Sequence, residues 1–470
     1  PEIYATLFSI APSRRDTATI WTGSDDGLVH VTRDGGRTWR NVTPPDLEAN
    51  SRISRIDASW HRAGSAYVAA ERHQMDDRAP YAWRTHDYGA SWTRIVTGIA
   101  ADDFVRVVRE DRERPGLLFA GTEHGVYVSF DDGDHWRTLA RNLPDVQVAD
   151  LVVEQRDVVI ATHGRSFWIL DDITPLRQLT PAMLSGSADG SARLLRPSRT
   201  VRRVSPANID IHLPAATDSL RLDIRDASGK PVRTMSLAPV AAGVRRLHWD
   251  LRYPGATSFP GIVLEGGNPA RGVWAPPGTY RLHLRTWTSS GTSTDTQSVQ
   301  VVRDPRLSGV SDSDLHAQFA LARQIRDAES AANRTVLDVR ALRRQLRERD
   351  AAAQRAPSGE STTNARRAIA ALDSVISAVE SALYQVRNRS PKDKIAFPIR
   401  LNDRLTGLRA QVDGGDARPT AAQHRIFREL AAELDTERER LAHAYRTALP
   451  RANDALRAAG LPALDGTTVP

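Results

Sequence analysis

The 470-residue sequence predicts a multidomain chain, β-rich in its first two thirds and α-helical in its last. Three observations carry this reading. An eight-residue motif is written three times, short alternating strand runs fill residues 201–303, and a helical apolar period begins near residue 311. The expected order is a partial β-propeller at 1–175, a linker at 176–200, a small β-sandwich at 201–303 and a C-terminal antiparallel helical bundle at 311–462.

The motif reads Thr32-Arg-Asp34-Gly-Gly36-Arg-Thr38-Trp39, Thr85-His-Asp87-Tyr-Gly89-Ala-Ser91-Trp92 and Ser129-Phe-Asp131-Asp-Gly133-Asp-His135-Trp136. Each copy stands between two strand-like runs, such as Leu28-Val-His-Val31 before the first. The Asp accepts bonds from nearby backbone N–H groups, the Gly permits a positive φ, and the Trp buries a large apolar face. These residues therefore have a structural job, which removes Asp34, Asp87 and Asp131 as catalytic candidates. The third copy carries His135 where Ser or Thr stands in the others, so its last polar bond is not expected from the pattern. Small-residue strands recur upstream of the turns at Trp21-Thr-Gly23, Val68-Ala-Ala70, Phe119-Ala-Gly121 and Ile160-Ala-Thr162. A period of about 40–50 residues with several strands per unit reads as about four propeller blades.

Over residues 1–175 these repeats resemble the Asp-box (BNR) propellers of sialidases, sortilin-type (VPS10) proteins and photosystem assembly factors. Two stretches, Leu118–Gly133 and Thr162–Trp168, resemble the end of large bacterial proteins labelled sortilin-like or glycosyl hydrolase. The resemblance implies an exported, secreted or periplasmic, protein. It also implies a ring of six or more blades, so further blades are expected upstream of Pro1 as partners of those present. The fold hosts unrelated functions and does not choose among them.

Between 201 and 303, Leu220-Arg-Leu222-Asp-Ile224 alternates strictly and Asp226-Ala-Ser-Gly229 reads as a hairpin turn. Gly243-x5-Trp249-Asp250 and Pro277-Gly278-Thr-Tyr280 resemble the Ig-like module of the flagellar hook-capping protein. The Gly- and Pro-rich insertion at 253–275 is longer than a plain hairpin. From Ser311 the apolar residues Leu315, Phe319, Ala322, Ile325, Val336, Val339, Leu342 and Leu346 form one helical stripe. A second stripe runs Ala365 to Val386, a short helix is expected from Pro398 to Val412, and Thr420-Ala-Ala-Gln423 is a capping box opening the last helix. The bundle is expected to fold back on the propeller or sandwich, or to pair with another copy.

The net charge is +7, yet three of the 64 basic residues are lysine and the remaining 61 arginines are scattered among acids. No basic stripe interleaved with aromatics points to nucleic acid. With no cysteine, disulfides and thiolate chemistry are excluded. No apolar run approaches the length of about 20 residues that a membrane helix needs.

Glycoside hydrolysis usually needs two facing carboxylates. Loop carboxylates are available at Asp25-Asp26, Asp76-Asp77, Asp102-Asp103, Glu123 and Asp171-Asp172, although surface turns are rich in Asp for structural reasons. Glu71, His73, Asp76 and Asp77 form the one mixed cluster with metal-ligand chemistry, but without diagnostic spacing, and no metal or other cofactor is expected. His163 and Arg165 would suit an anionic ligand at the propeller mouth; alternatively His163 packs on Trp168. The ligand-binding candidates are thus Asp76, Asp77, Glu123, His163 and Arg165. Three functions remain: a binding scaffold for a protein, peptide or glycan; a glycoside hydrolase, sialidase- or xyloglucanase-like, with carboxylates partly in upstream blades; and a docking unit of a larger protein.

Overall fold

A computed structural model describes residues 5–139, 141–185, 190–289, 291–390 and 392–466, so part of the expected linker (186–189) lies outside the described residues. The chain divides into two compact units: Pro1–Ser198 with Asp210–Ala216 and Ala241–Arg245, and Arg199–Ile209 with Thr217–Val240 and Arg246–Pro470.

In the first unit the strands follow in order. They are β1 (Leu7–Pro12), β2 (Ile20–Ser24), β3 (Val29–Thr32) and β4 (Arg40–Asn41); β5 (Arg52–Ala58), β6 (Ala66–Arg72), β7 (Asp77–Thr85) and β8 (Thr93–Arg94); β9 (Val105–Glu110), β10 (Leu118–Thr122), β11 (Val126–Ser129) and β12 (Trp136–Thr138); and β13 (Val148–Val153), β14 (Val158–Thr162) and β15 (Phe167–Leu170). They make three four-stranded antiparallel meanders and a three-stranded one. The first strands β1, β5, β9 and β13 pack against one another in sequence, which is the radial arrangement of propeller blades. Each first strand carries one extra residue at the same level. The register slips at Phe8, Ser54, Arg106 and Ala149, and such a bulge re-aims a side chain without ending the ladder.

The motif turns are built by one repeated set of bonds. Asp87 Oδ1 accepts from Ser91 N at 2.9 Å and Oδ2 from Ser91 Oγ at 2.6 Å, while Gly89 N donates to Thr85 Oγ1 at 3.0 Å. The first copy uses Asp34, Thr38 and Thr32 in the same way. In the third copy the imidazole Nδ1 of His135 stands 2.9 Å from Asp131 Oδ2, so a ring nitrogen fills the place of the hydroxyl.

The turns also join the blades. A Cβ on Gly89 would lie 2.6 Å from Val42, and one on Gly133 would lie 2.9 Å from Ile95, both in the preceding blade. The indoles reach the same residues: Trp92 Nε1 donates to Val42 O at 2.7 Å and Trp136 Nε1 to Ile95 O at 2.9 Å. The first copy differs. Gly36 meets nothing closer than its own Trp39 at 3.9 Å, and Trp39 donates to Gly36 O at 3.2 Å and is 45% exposed. The expected burial of Trp39 is therefore not found, because the surface that buries the other two belongs to a preceding blade.

The remaining elements of the first unit are α1 (Pro181–Leu184) and β16 (Arg193–Leu194); β17 (Thr200–Val201), β19 (Ser219–Arg225), β20 (Pro231–Leu237), β22 (Gly278–Thr288) and β23 (Gly291–Val302) belong to the second, and β18 (Ala207–Leu213) and β21 (Gly243–Trp249) each have residues in both. One sheet runs β17-β23-β22-β19-β20 and another β16-β18-β21. Trp249 on β21 and Tyr280 on β22, both in the second unit, meet edge to face at 4.9 Å, and Tyr280 OH donates to Pro276 O at 2.8 Å. Helices α2 (Asp312–Arg355), α3 (Glu360–Leu383), α4 (Leu401–Val412) and α5 (Ala421–Ala458) follow. Ser311 with Asp314 and Thr420 with Gln423 close the capping boxes that open α2 and α5. Helix α2 packs on α3 and α4, and α3 on α5.

The 253–275 insertion is bound to these helices by polar contacts. Glu265 N and Gly266 N donate to Asp403 at 3.0 and 2.6 Å. Arg409 donates to Arg271 O at 2.6 Å, to Asn268 O at 3.0 Å and to Glu329 Oε2 at 2.8 Å. A Cβ on Gly266 would stand 2.5 Å from Gly407 N, so backbone meets backbone there.

Three outcomes follow from these contacts. Asp34 and Asp87 are held down from 3.8 to about 2, first by the hydroxyls of Thr38 and Ser91 and then by the N–H groups of the same residues. A depressed carboxyl contributes fully above its unfolded value and loses that contribution as pH falls through its folded one. Denaturant titrations should show stability falling between about pH 4 and 2, with a shallower fall in Asp87→Asn; an identical fall in that variant would remove the motif from the account. Trp136→Ala should cost about 3–5 kcal/mol, against less than about 1 kcal/mol for Trp39→Ala, measured by urea unfolding. In the second unit, Glu329→Ala leaves the Arg409 guanidinium buried without its carboxylate and should cost about 3–5 kcal/mol.

Candidate functional site

The residues that follow the second strand of each blade come to one rim. Asp25 follows β2, Glu71 lies at the end of β6, Glu123 follows β10 and His163 follows β14. Glu71 is 3% exposed and is gripped from two blades. Arg52 on β5 forms an ion pair with Oε1, and Arg106 Nη1 on β9 approaches Oε2 at 3.2 Å. Arg106 Nη2 reaches on to Glu123 Oε2 at 3.9 Å. Gln147 bonds Glu123 through its amide N–H, and its Oε1 lies 2.7 Å from His163 Nδ1. A polar relay thus runs through three blades, from Arg52 to His163. Arg106 reaches both carboxylates from the bulge of its strand, where the extra residue turns its side chain toward the rim.

Beside the relay lies a cleft of about 550 Å³, lined by Phe8, Arg52, Glu71, His73, Gln74 and Met75 among others. His73 stacks on Phe104 with ring centroids 4.9 Å apart and planes 10° apart, which fixes the imidazole. Its Nδ1 stands 3.5 Å from Glu71 Oε2. Both atoms are buried and neither makes a hydrogen bond. Phe8 and Met75 are exposed at the cleft, and the Arg52 guanidinium lies 5.2 Å over the Phe8 ring. The cleft offers two apolar contacts around a polar floor whose charges are already paired.

The structure brings Glu123 and His163 into the relay, together with Glu71 and His73. It does not bring the remaining ligand candidates there. Asp76 is the exposed left-handed cap of a 3-10 turn, with φ of 59°. Asp77 accepts from Tyr81 OH at 2.7 Å and Arg72 Nε at 3.1 Å. Burial alone would raise its pKa, but these bonds and that of Ala79 hold it below the usual value. Arg165 is exposed, and its carbonyl, not its guanidinium, accepts from Trp168 Nε1 at 3.0 Å. His163 Nδ1 lies 2.7 Å from Gln147 Oε1.

Among the other loop carboxylates, Asp25 accepts from Thr6 N at 2.8 Å, Asp103 from Thr122 Oγ1 and His124 N at 3.0 Å each, and Asp172 from Ser198 Oγ at 3.1 Å. Asp26 caps its own turn, and Asp102 and Asp171 face solvent. Among the described residues no group of three His, Asp or Glu side chains is placed to hold a metal ion. Arg52, Arg106 and Gln147 were not legible as site residues, because nothing local marks them. Arg52 and Gln147 stand two residues before the bulges at Ser54 and Ala149, whereas Arg106 is itself the bulge residue of its strand.

A sequence model described as the FlgD Ig-like domain matches residues 198–260. No curated protein matches the chain. Among solved structures, YCF48 bound to D1 peptide is 15% identical, with 62% of this chain and 82% of that one covered at a TM-score of 0.29. YCF48 from Cyanidioschyzon merolae is 18% identical, covering 61% of this chain and 69% of that one at 0.24. The GH74 xyloglucanase from Xanthomonas campestris is 10% identical, covering 63% of this chain and 47% of that one at 0.29. At such scores the propeller rests on the strand order and packing described above. The Ig-like module rests on its own sequence match and on the Trp249–Tyr280 core, and no helix is long and apolar enough to cross a membrane among the described residues.

Proposed function

We propose that the chain is the binding part of an extracytoplasmic propeller protein and that the rim cleft takes an extended protein, peptide or glycan segment. The observation that carries this reading is the cleft itself: about 550 Å³ of open space, with exposed Phe8 and Met75 beside a polar floor in which Glu71 is ion-paired with Arg52 and Arg106 and the buried His73 Nδ1 makes no hydrogen bond. Apolar anchors flanking a few fixed polar groups are what a binding site needs. A hydrolase needs a carboxyl that keeps its proton near neutral pH. The carboxyls of this unit whose titration is displaced, among them Asp77, Asp87 and Asp131, all move down, and Glu71 and Glu123 are ion-pair partners of Arg106.

Titration calorimetry against extended peptides and oligosaccharides tests the reading. One class should bind, and Phe8→Ala and Met75→Ala should each weaken it about tenfold, equivalent to ~1.4 kcal/mol. Both residues are exposed, so folding should be untouched. Hydrolysis of a polysaccharide that disappears in Glu71→Gln would replace this reading with the glycoside hydrolase.

We further propose that additional blades of a longer chain cover the face bearing Leu7, Ile10 and Trp39. Supporting this is the contrast between Trp39, folded on its own turn, and Trp92 and Trp136, each seated on a preceding blade. In a chain extended upstream, acrylamide should quench the Trp39 contribution to fluorescence less, with Trp39→Phe as reference. Equal quenching in both lengths would count against such blades.

A further inference from the structure

A second cavity, of about 170 Å³, lies wholly within the second unit, between the 253–275 insertion and α4. Arg203, Arg252, Arg271, Trp274, Arg409 and Asp413 line it. Each guanidinium has a different degree of internal pairing. Arg409 is committed to Glu329 and to two carbonyls. Arg202, just behind, is committed to Asp416, to Ala275 O and to Gln318 Oε1. Arg203 shares Asp416 with it and lies 4.0 Å from Asp413, while Arg252 meets Asp413 at 3.2 Å. Arg271 is exposed, and among the described residues its side chain forms no ion pair. Of the five guanidiniums gathered here, four are paired with Glu329, Asp413 or Asp416, and Arg271 is the one without a carboxylate partner.

Trp274 organises this group. The guanidiniums of Arg252 and Arg203 lie 3.9 and 4.9 Å from its ring, a cation–π arrangement that keeps both planes fixed. Its own Nε1 is buried with no acceptor. An orphaned buried N–H is normally filled by a partner. Burial also raises the pKa of Asp413, the pocket's one lining carboxylate, against the pull of Arg203 and Arg252.

We propose that this cavity holds a compact oxyanion, a phosphate or carboxylate group of a small molecule, received chiefly by Arg271, with Arg203 and Arg252, which also donate to the carbonyls of Asp413, Gly415 and Gly272, lining the same space. A tetrahedral or planar oxyanion matches the donor fork of arginine, and the volume admits such a group but not a polymer segment. The site is distinct from the rim cleft and does not depend on the reading of that cleft.

Thermal unfolding of the whole chain tests it, with sodium phosphate, sodium acetate and sodium chloride compared at equal pH and ionic strength. Phosphate or acetate should raise Tm saturably by about 2 °C or more over chloride, and whichever acts alone identifies the oxyanion. In Arg271→Ala the rise should vanish while Tm in chloride does not fall below the wild-type value, because Arg271 has no ion pair to lose and its charge repels Arg203 and Arg252. Two results would overturn the site: no rise over chloride with either anion, or an equal rise in Arg271→Ala.

Discussion

The first unit depends on one contact, made twice: a motif glycine and its indole closing onto a hydrophobic residue of the preceding blade. Gly89 and Trp92 take Val42, and Gly133 and Trp136 take Ile95. The glycine supplies both the positive φ of the turn and the room for a side chain of the neighbour. The Asp bonds keep the turn in the shape that aims both residues. Folding of one hairpin is thereby coupled to its docking on the next, and the first strands are brought into a common line. The rim relay depends on that alignment, since Arg106 can bridge Glu71 and Glu123 only if two blades keep their register.

What was legible in the sequence was what repeats or what is local. The motif announced its turns, the alternation of Leu220, Leu222 and Ile224 announced a strand, and Ser311 and Thr420 announced the starts of helices. Non-local geometry was not legible. The bulges at Ser54 and Arg106 leave no mark, because an extra residue in a ladder has no required type. His135 looked like a lost bond, yet an imidazole nitrogen stands where a hydroxyl stands elsewhere. Trp39 looked like its two relatives, but its surroundings are set by a surface outside its own repeat. Asp76 and Asp77 were adjacent to Glu71 and His73 in sequence and were drawn into the same cluster. A turn of 3-10 helix separates them, and Arg72 and Tyr81 then take Asp77 away.

The second unit is held together differently. Its insertion contributes mostly backbone groups, and the helices supply the charges that receive them. Asp403 accepts from two consecutive N–H groups, and Arg409 donates to two carbonyls of the same loop. A loop without regular secondary structure has no ladder to satisfy its peptide groups, so ionised side chains of α4 take that part. The arrangement ties loop conformation to helix position, and it gathers arginines at one place because carbonyls, as well as carboxylates, need donors.

The recurring bulge has a consequence for how such a rim changes over time. Phe8, Ser54, Arg106 and Ala149 occupy the extra place in four successive strands, and their side chains range from an aromatic ring to a methyl group. The backbone accommodates all four with the same slip in pairing. At Phe8, Arg106 and Ala149 the side chain can therefore differ while the ladder stays as it is, whereas at Ser54 the side chain is drawn into the framework, its Oγ donating to Ala69 O at 3.1 Å and to Arg106 O of the next blade at 2.7 Å.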